Sequence, residues 1–163
     1  MSAIDDFVKN NEAFAEGFDK GDVPLPPARK VAIVACMDAR LNPYPMLGLS
    51  IGDAHVIRNA GGVVTDDEIR SLAISQHLLG TEEIMLIHHT DCGMLTFSNE
   101  EFQDMLEEHS GERPEWHAMN FPDLEEDVRD SIKRIKDSPF IPRTDRVRGF
   151  VYSVETGELR EVS

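Results

Sequence analysis

The chain is poor in the groups that would place it in several common classes. It has only two cysteines, Cys36 and Cys92, in 163 residues. Two thiols are too few for the disulfide framework of a small secreted domain. They are also too few for an iron–sulfur cluster, which as a rule takes four. Basic residues are scarce, with 16 Lys and Arg against 31 Asp and Glu and a formal net charge of −15. That balance excludes the electrostatic footprint of a nucleic-acid or anionic-membrane partner. No apolar run approaches the ~18 residues of a membrane-crossing helix. Met1 to Lys20 carries acidic residues and no apolar stretch of the kind a secretory signal needs. There is no repeat and no low-complexity tract. These absences place the protein in the cytoplasm with reduced thiols, so a disulfide between the two cysteines is not expected.

What is present suffices for one domain. Hydrophobic residues make up 40% of the chain, enough for one ordinary core. The acidic excess reads as a solvated surface, clustered at Glu100-Glu101, Glu107-Glu108 and Glu125-Glu126-Asp127. Ile4, Phe7, Val8, Phe14 and Phe18 recur at helical spacing, so Ala3 to Phe18 reads as a helix. Gly21 and Pro24-Leu25-Pro26-Pro27 then break it. Residues 1–28 thus form an arm and tether. The arm's apolar stripe packs either on its own domain or on a neighbouring subunit.

The remaining residues, 29–163, read as an α/β core with a mostly parallel central sheet flanked by helices. Val31-Ala32-Ile33-Val34-Ala35 is a continuous apolar run, the pattern of a strand covered on both faces, and it ends at Cys36. Ala54 to Ile57 is a second strand, ending at Arg58-Asn59-Ala60-Gly61-Gly62. Thr65-Asp66-Asp67-Glu68 is a capping box that opens a helix to Leu79, with Gly80 as its C-terminal stop. Ile84 to Ile87 is a third buried strand, ending at His88-His89. Acidic helices are expected over Asn99–His109 and Asp123–Lys136, with Pro114–Pro122 irregular between them. Val147 to Val154 is a last strand, with a short hairpin return at Leu159–Val162. Open parallel sheets bind ligands beyond the C-terminal ends of their strands. Cys36, the Arg58–Gly62 run and the His88–Cys92 run all lie just past such ends.

The residue types that converge there suit a metal. Two thiolates and one imidazole match a borderline-soft cation in tetrahedral geometry, which points to zinc. Three protein ligands leave one position for water, the arrangement of a catalytic site, where zinc lowers the pKa of that water. His89 makes the compact His-x-x-Cys loop with Cys92. Successive strand residues face opposite ways, so His88 falls to the core or to a supporting role. His55, His77, His109 and His117 have no partner motif and read as structural or surface residues. Asp38 and Arg40, two and four residues past Cys36, form a carboxylate–guanidinium pair. Asp38 either accepts a hydrogen bond from the reacting water or takes the fourth position itself and closes the site. Gly93 would let the backbone approach metal or substrate closely. The turn at Arg58–Gly62, with Gly61, would offer N–H donors to an anionic product.

The runs Cys36-x-Asp38-x-Arg40, Arg58-Asn59-Ala60-Gly61 and His89-x-x-Cys92, in that order, resemble the β-class carbonic anhydrases over about Val31 to Gly93. His88 departs from the pattern by standing where a glycine is common. The resemblance implies reversible hydration of carbon dioxide to bicarbonate at zinc held by Cys36, His89 and Cys92, with Asp38 and Arg40 as a dyad and Asp38 as a fourth ligand in a closed state. It implies a homodimer or homotetramer in which the N-terminal arm crosses to a partner. Short relatives of this kind include carbonyl sulfide hydrolases, so that activity is the alternative. The third reading is a non-catalytic zinc-binding regulatory module, permanently closed by Asp38.

Overall fold

The computed structural model describes residues 2–163; Met1, the first residue of the arm, lies outside them. The five strands are β1 (Val31–Cys36), β2 (Ala54–Asn59), β3 (Glu83–His89), β4 (Val147–Tyr152) and β5 (Leu159–Val162). They form one sheet in the order β2-β1-β3-β4-β5. The first four are mutually parallel, and β5 returns antiparallel to β4. The helices are α1 (Ala3–Glu16), α2 (Pro43–Leu47), α3 (Asp66–Leu79), α4 (Asn99–Ser110) and α5 (Leu124–Asp137). The expected α/β architecture is the one observed.

Both faces of the sheet are covered, which is why β1 and β3 read as unbroken apolar runs. Ala32, Val34, Ile84 and Leu86 pack with Leu72 of α3 and Ile135 of α5. Their neighbours Ile33, Ala35 and Ile87 point the other way and pack with Leu41, Cys92 and Met94. On β4, Gly149 is what lets α5 approach: a Cβ there would collide with Val128 and Ile132.

Local sequence signals set the helix ends. Ser2, Thr65 and Ser98 each close a capping box with the acidic residue three positions on. Gly80 and Gly111 end α3 and α4 in the left-handed conformation.

The strands are longer than expected at the ends that matter. β2 continues through Arg58 and Asn59, because these pair with Ala35 and Cys36 of β1. β3 includes both His88 and His89, the latter in register with Tyr152. Cys36 is the last residue of β1 rather than the first after it. α2, a five-residue helix with two prolines, is absent from the sequence reading.

The arm differs from everything else. α1 ends at Glu16, capped by Gly17, and none of its residues is buried. Its apolar stripe lies open, with Ile4 70%, Phe7 67% and Phe14 57% exposed. The tether, by contrast, is anchored: Ala28 and Arg29 donate their N–H groups to Gly52 and Asp53 at 2.9 and 2.8 Å.

Candidate metal centre

Cys36, His89 and Cys92 meet at the C-terminal edge of the sheet. The two sulfurs and one ring nitrogen of His89 lie within 4.8 Å of one another, and all three residues are buried. The strands supply this convergence. Cys36 ends β1, His89 ends the adjacent β3, and Cys92 follows after a tight turn through Asp91, which takes a left-handed φ of 54°.

His89 is held for ligation. Its Nδ1 donates to the Thr90 carbonyl at 2.8 Å, which leaves Nε2 as the free lone pair of the neutral ring. That Nε2 is buried and makes no hydrogen bond. A buried, unpartnered acceptor is costly unless something completes it, and a cation between Nε2 and the two sulfurs would do so. The donor set therefore fits zinc, with borderline-soft sulfur and nitrogen atoms converging on one point.

The protons in the site respond to the same crowding. The neighbouring Cys92 thiol holds Cys36 well below the usual thiol range, with help from His89. The Cys36 thiolate and burial push Cys92 above that range. For His89, burial opposes the charged ring, but the Cys36 sulfur and the Thr90 carbonyl outweigh it and the net shift is upward.

Asp38 and Arg40 sit beside the cluster. Arg40 donates from Nε to Asp38 Oδ1 at 3.0 Å and from Nη2 to Asp38 Oδ2 at 2.8 Å, and its backbone N–H adds a 2.8 Å bond to Oδ1. This fork keeps the carboxylate ionised, well below the usual carboxylate range. Asp38 Oδ2 lies 3.8 Å from His89 Nε2. The carboxylate thus borders the cluster while its own bonds are committed to Arg40. Arg40 also reaches the second loop, donating to Asp91 Oδ2 at 2.8 Å and to the Asp91 carbonyl at 3.0 Å. One guanidinium therefore ties the Cys36 loop to the Cys92 loop.

A cavity of about 370 Å³ opens onto these groups, lined by Cys36, Asp38, Gly61, Cys92, Gly93 and Phe97 among others. Gly61, at φ 85°, has no room for a side chain: a Cβ would meet Met94 at 2.9 Å. Gly93 faces open space. Gly62 packs beneath the metal loop, where a Cβ would stand 2.8 Å from the Cys36 nitrogen.

The known proteins most informative for this chain agree with the geometry. The carbonic anhydrase family profile matches residues 31–159. The chain belongs to the β-class carbonic anhydrases. It is 56% identical to beta-carbonic anhydrase 1 of Mycobacterium tuberculosis, over 100% of this chain and 99% of that one. The crystal structure of a carbonic anhydrase from Streptococcus mutans superposes with a TM-score of 0.94 at 48% identity, covering 100% of this chain and 99% of that one. A carbon disulfide hydrolase from an Acidianus species is a more distant relative, 34% identical over 97% of this chain and 88% of that protein.

Several residues of this β-carbonic anhydrase site were not legible as participants. His88 turns away from the cluster, as expected of a core or supporting residue, but its partner was not foreseen: its Nε2 meets Asp127 Oδ2 of α5 at 2.6 Å. Asp91 appears in the sequence as a residue flanking Cys92, with no sign that Arg40 would grip it. Arg58 contributes its side chain: its guanidinium binds the carbonyls of Cys36 and Asp38. Read from sequence, the run containing it offered only backbone donors. No spacing rule reveals such contacts, because their acceptors are carbonyls that every residue carries.

Proposed function

We propose that this protein is a zinc-dependent carbonic anhydrase that hydrates carbon dioxide to bicarbonate and a proton, and that Cys36, His89 and Cys92 hold the metal. The observation that carries this reading is the buried, unpartnered His89 Nε2 facing two sulfurs within 4.8 Å, beside a carboxylate already gripped by an arginine. Bound zinc would supply the Lewis acidity that makes water a nucleophile near neutral pH.

The rest of the chemistry belongs to the chain. Asp38, ionised and fixed by Arg40, accepts a hydrogen bond from the reacting water through an oxygen at the edge of the cluster. It thereby orients the water's remaining lone pair toward the cavity. Arg40 engages both carboxylate oxygens of Asp38, which favours an open site over the permanently closed regulatory module. Two thiolates make the metal a weaker Lewis acid than three imidazoles would, and a nearby cation and hydrogen-bond network help offset that. Gly61 and Gly93 line the cavity beside the cluster and leave room for a small linear substrate.

Residues 29–163 are the zinc-binding core, and residues 1–28 are an arm and tether. The open apolar stripe of α1 supports a homodimer or homotetramer in which the arm covers a second copy. A cytoplasmic location suits a site built on reduced thiols. No helix among the described residues is long and apolar enough to cross a membrane.

Carbonyl sulfide is the alternative substrate, since it presents the same linear shape to the same site. The higher identity to proteins named carbonic anhydrase favours carbon dioxide. A side-by-side assay of carbon dioxide hydration and carbonyl sulfide hydrolysis on one preparation tests this. Faster turnover of carbon dioxide is expected. Faster turnover of carbonyl sulfide would reassign the substrate, and activity on neither would promote the regulatory module.

A further inference from the structure

Arg58 lies at the end of β2, one strand away from the cluster and outside its ligand set. Its hydrogen bonds run to main-chain carbonyls. Nε and Nη2 donate to the Cys36 carbonyl at 3.0 and 2.8 Å, and Nη2 also donates to the Asp38 carbonyl at 2.8 Å. This is unlike Arg40, whose side chain spends its donors on Asp38 and Asp91.

The backbone there needs such a hold. The ladder between β1 and β2 ends with the Met37 N–H on the Asn59 carbonyl at 2.7 Å. Beyond that point the chain leaves the sheet, and the turn has a backbone bond from the Leu41 N–H to the Asp38 carbonyl at 3.0 Å. The sheet therefore reaches the peptide plane after Cys36 through the Met37 N–H, but it does not reach the plane after Asp38. Rotation of the first plane would displace the Cys36 sulfur, and rotation of the second would displace the Asp38 carboxylate. A planar guanidinium that spans both carbonyls fixes the two planes relative to each other, which a point-like ammonium cannot do. Gly62 lies close to the same residue, where a Cβ on it would stand 2.8 Å from the Cys36 nitrogen.

We propose that Arg58 is a positioning residue of the metal centre. Its guanidinium clamps the Cys36 and Asp38 carbonyls so that one residue presents its sulfur to the metal and the other its carboxylate to Arg40. The inference rests on the zinc reading given above. Its removal should loosen the metal although no ligand has changed.

The test uses full-length wild type, Arg58→Ala and Arg58→Lys, each loaded with zinc and, separately, with cobalt(II). Three quantities are measured: the rate of zinc release to a chromogenic chelator, the visible absorption bands of the cobalt form, and the unfolding temperature of the metal-free protein. Arg58→Ala is expected to release zinc about 10- to 100-fold faster than wild type, in the range typical of lost outer partners of metal ligands. Its cobalt bands should shift, with metal-free unfolding close to wild type. Arg58→Lys, which keeps the charge but not the fork, should fall between the two. Wild-type release and wild-type bands in Arg58→Ala would overturn the clamp. So would wild-type behaviour in Arg58→Lys, since charge alone would then suffice. Should Arg58→Ala fail to fold, Arg58→Lys decides alone by the same two readouts. A wild-type protein that takes up neither metal would overturn the zinc reading, and the clamp with it.

Discussion

The arm and the central strands are both rich in apolar side chains, yet they bury them in opposite ways. β1 and β3 are covered on both faces by their own chain, with Ala32, Val34, Leu86 and Ile87 fully buried. α1 buries nothing, and its phenylalanines stand in the open although its cap is well formed. We propose that the difference separates what one chain satisfies alone from what it leaves for a second copy. The metal site falls on the first side. All three residues of its cluster come from one chain and are rigidly placed by paired strands and hydrogen-bonded loops. The arm falls on the second side, and its helical pattern is complete while its packing is not. The account therefore holds that the zinc chemistry is intrinsic to the core and that the arm serves assembly.

The sharpest way to break this division is to remove a ligand. His89→Ala or Cys92→Ser should cost the protein its zinc and reduce carbon dioxide hydration to the uncatalysed rate, as metal analysis and a stopped-flow assay would show. Retention of full activity without metal would end the site assignment. Next comes Arg40→Ala, which frees Asp38. Turnover should fall about 100-fold, the size of effect expected when a positioned proton acceptor is lost, with zinc content unchanged. If turnover is unaffected, Arg40 has no part in the mechanism.

The protonation pattern gives a prediction for metal loading. In the metal-free site Cys92 keeps its proton above the usual thiol range, and His89 is shifted toward the charged form. Zinc needs both thiols deprotonated and the imidazole neutral. Loading must therefore expel protons, and affinity should fall as the pH drops, by about tenfold per pH unit for each proton displaced. Calorimetry in buffers of different ionisation enthalpy would count those protons. A zinc affinity independent of pH between neutral and mildly acidic conditions would contradict the site described here.

The smallest effect on chemistry should come from the arm. Phe7→Glu combined with Phe14→Glu places charge on the open stripe. Sedimentation should show smaller assemblies, while zinc content and the fold of the core stay intact. Unchanged assembly would assign those phenylalanines no role at an interface. Loss of zinc would mean that the arm and the metal centre are coupled after all.

How much of this was legible in the sequence depended on what each element announces. β1 and β3 announce themselves as apolar runs, and α3 by its capping box and terminal glycine. The end of β2 does not, because Arg58 and Asn59 are polar and only their pairing with β1 extends the strand. α2 is too short and too rich in proline to show a period. At the site, the motif residues were legible because their chemistry is rare: two thiols, and a histidine at fixed spacing. The supports were not. Asp91 meets Arg40 from 51 positions away, and Arg58 reaches carbonyls 20 and 22 positions away, distances that only the folded chain closes.

The central claim is that a self-contained Cys–His–Cys centre in this chain hydrates carbon dioxide through zinc. It is tested most directly by stripping the protein with a chelator and titrating zinc back while following carbon dioxide hydration. The account expects activity to be lost on stripping and to return in proportion to added metal, saturating at about one zinc per chain. Activity that survives complete removal of the metal, or that does not return when one equivalent is restored to folded protein, would contradict it.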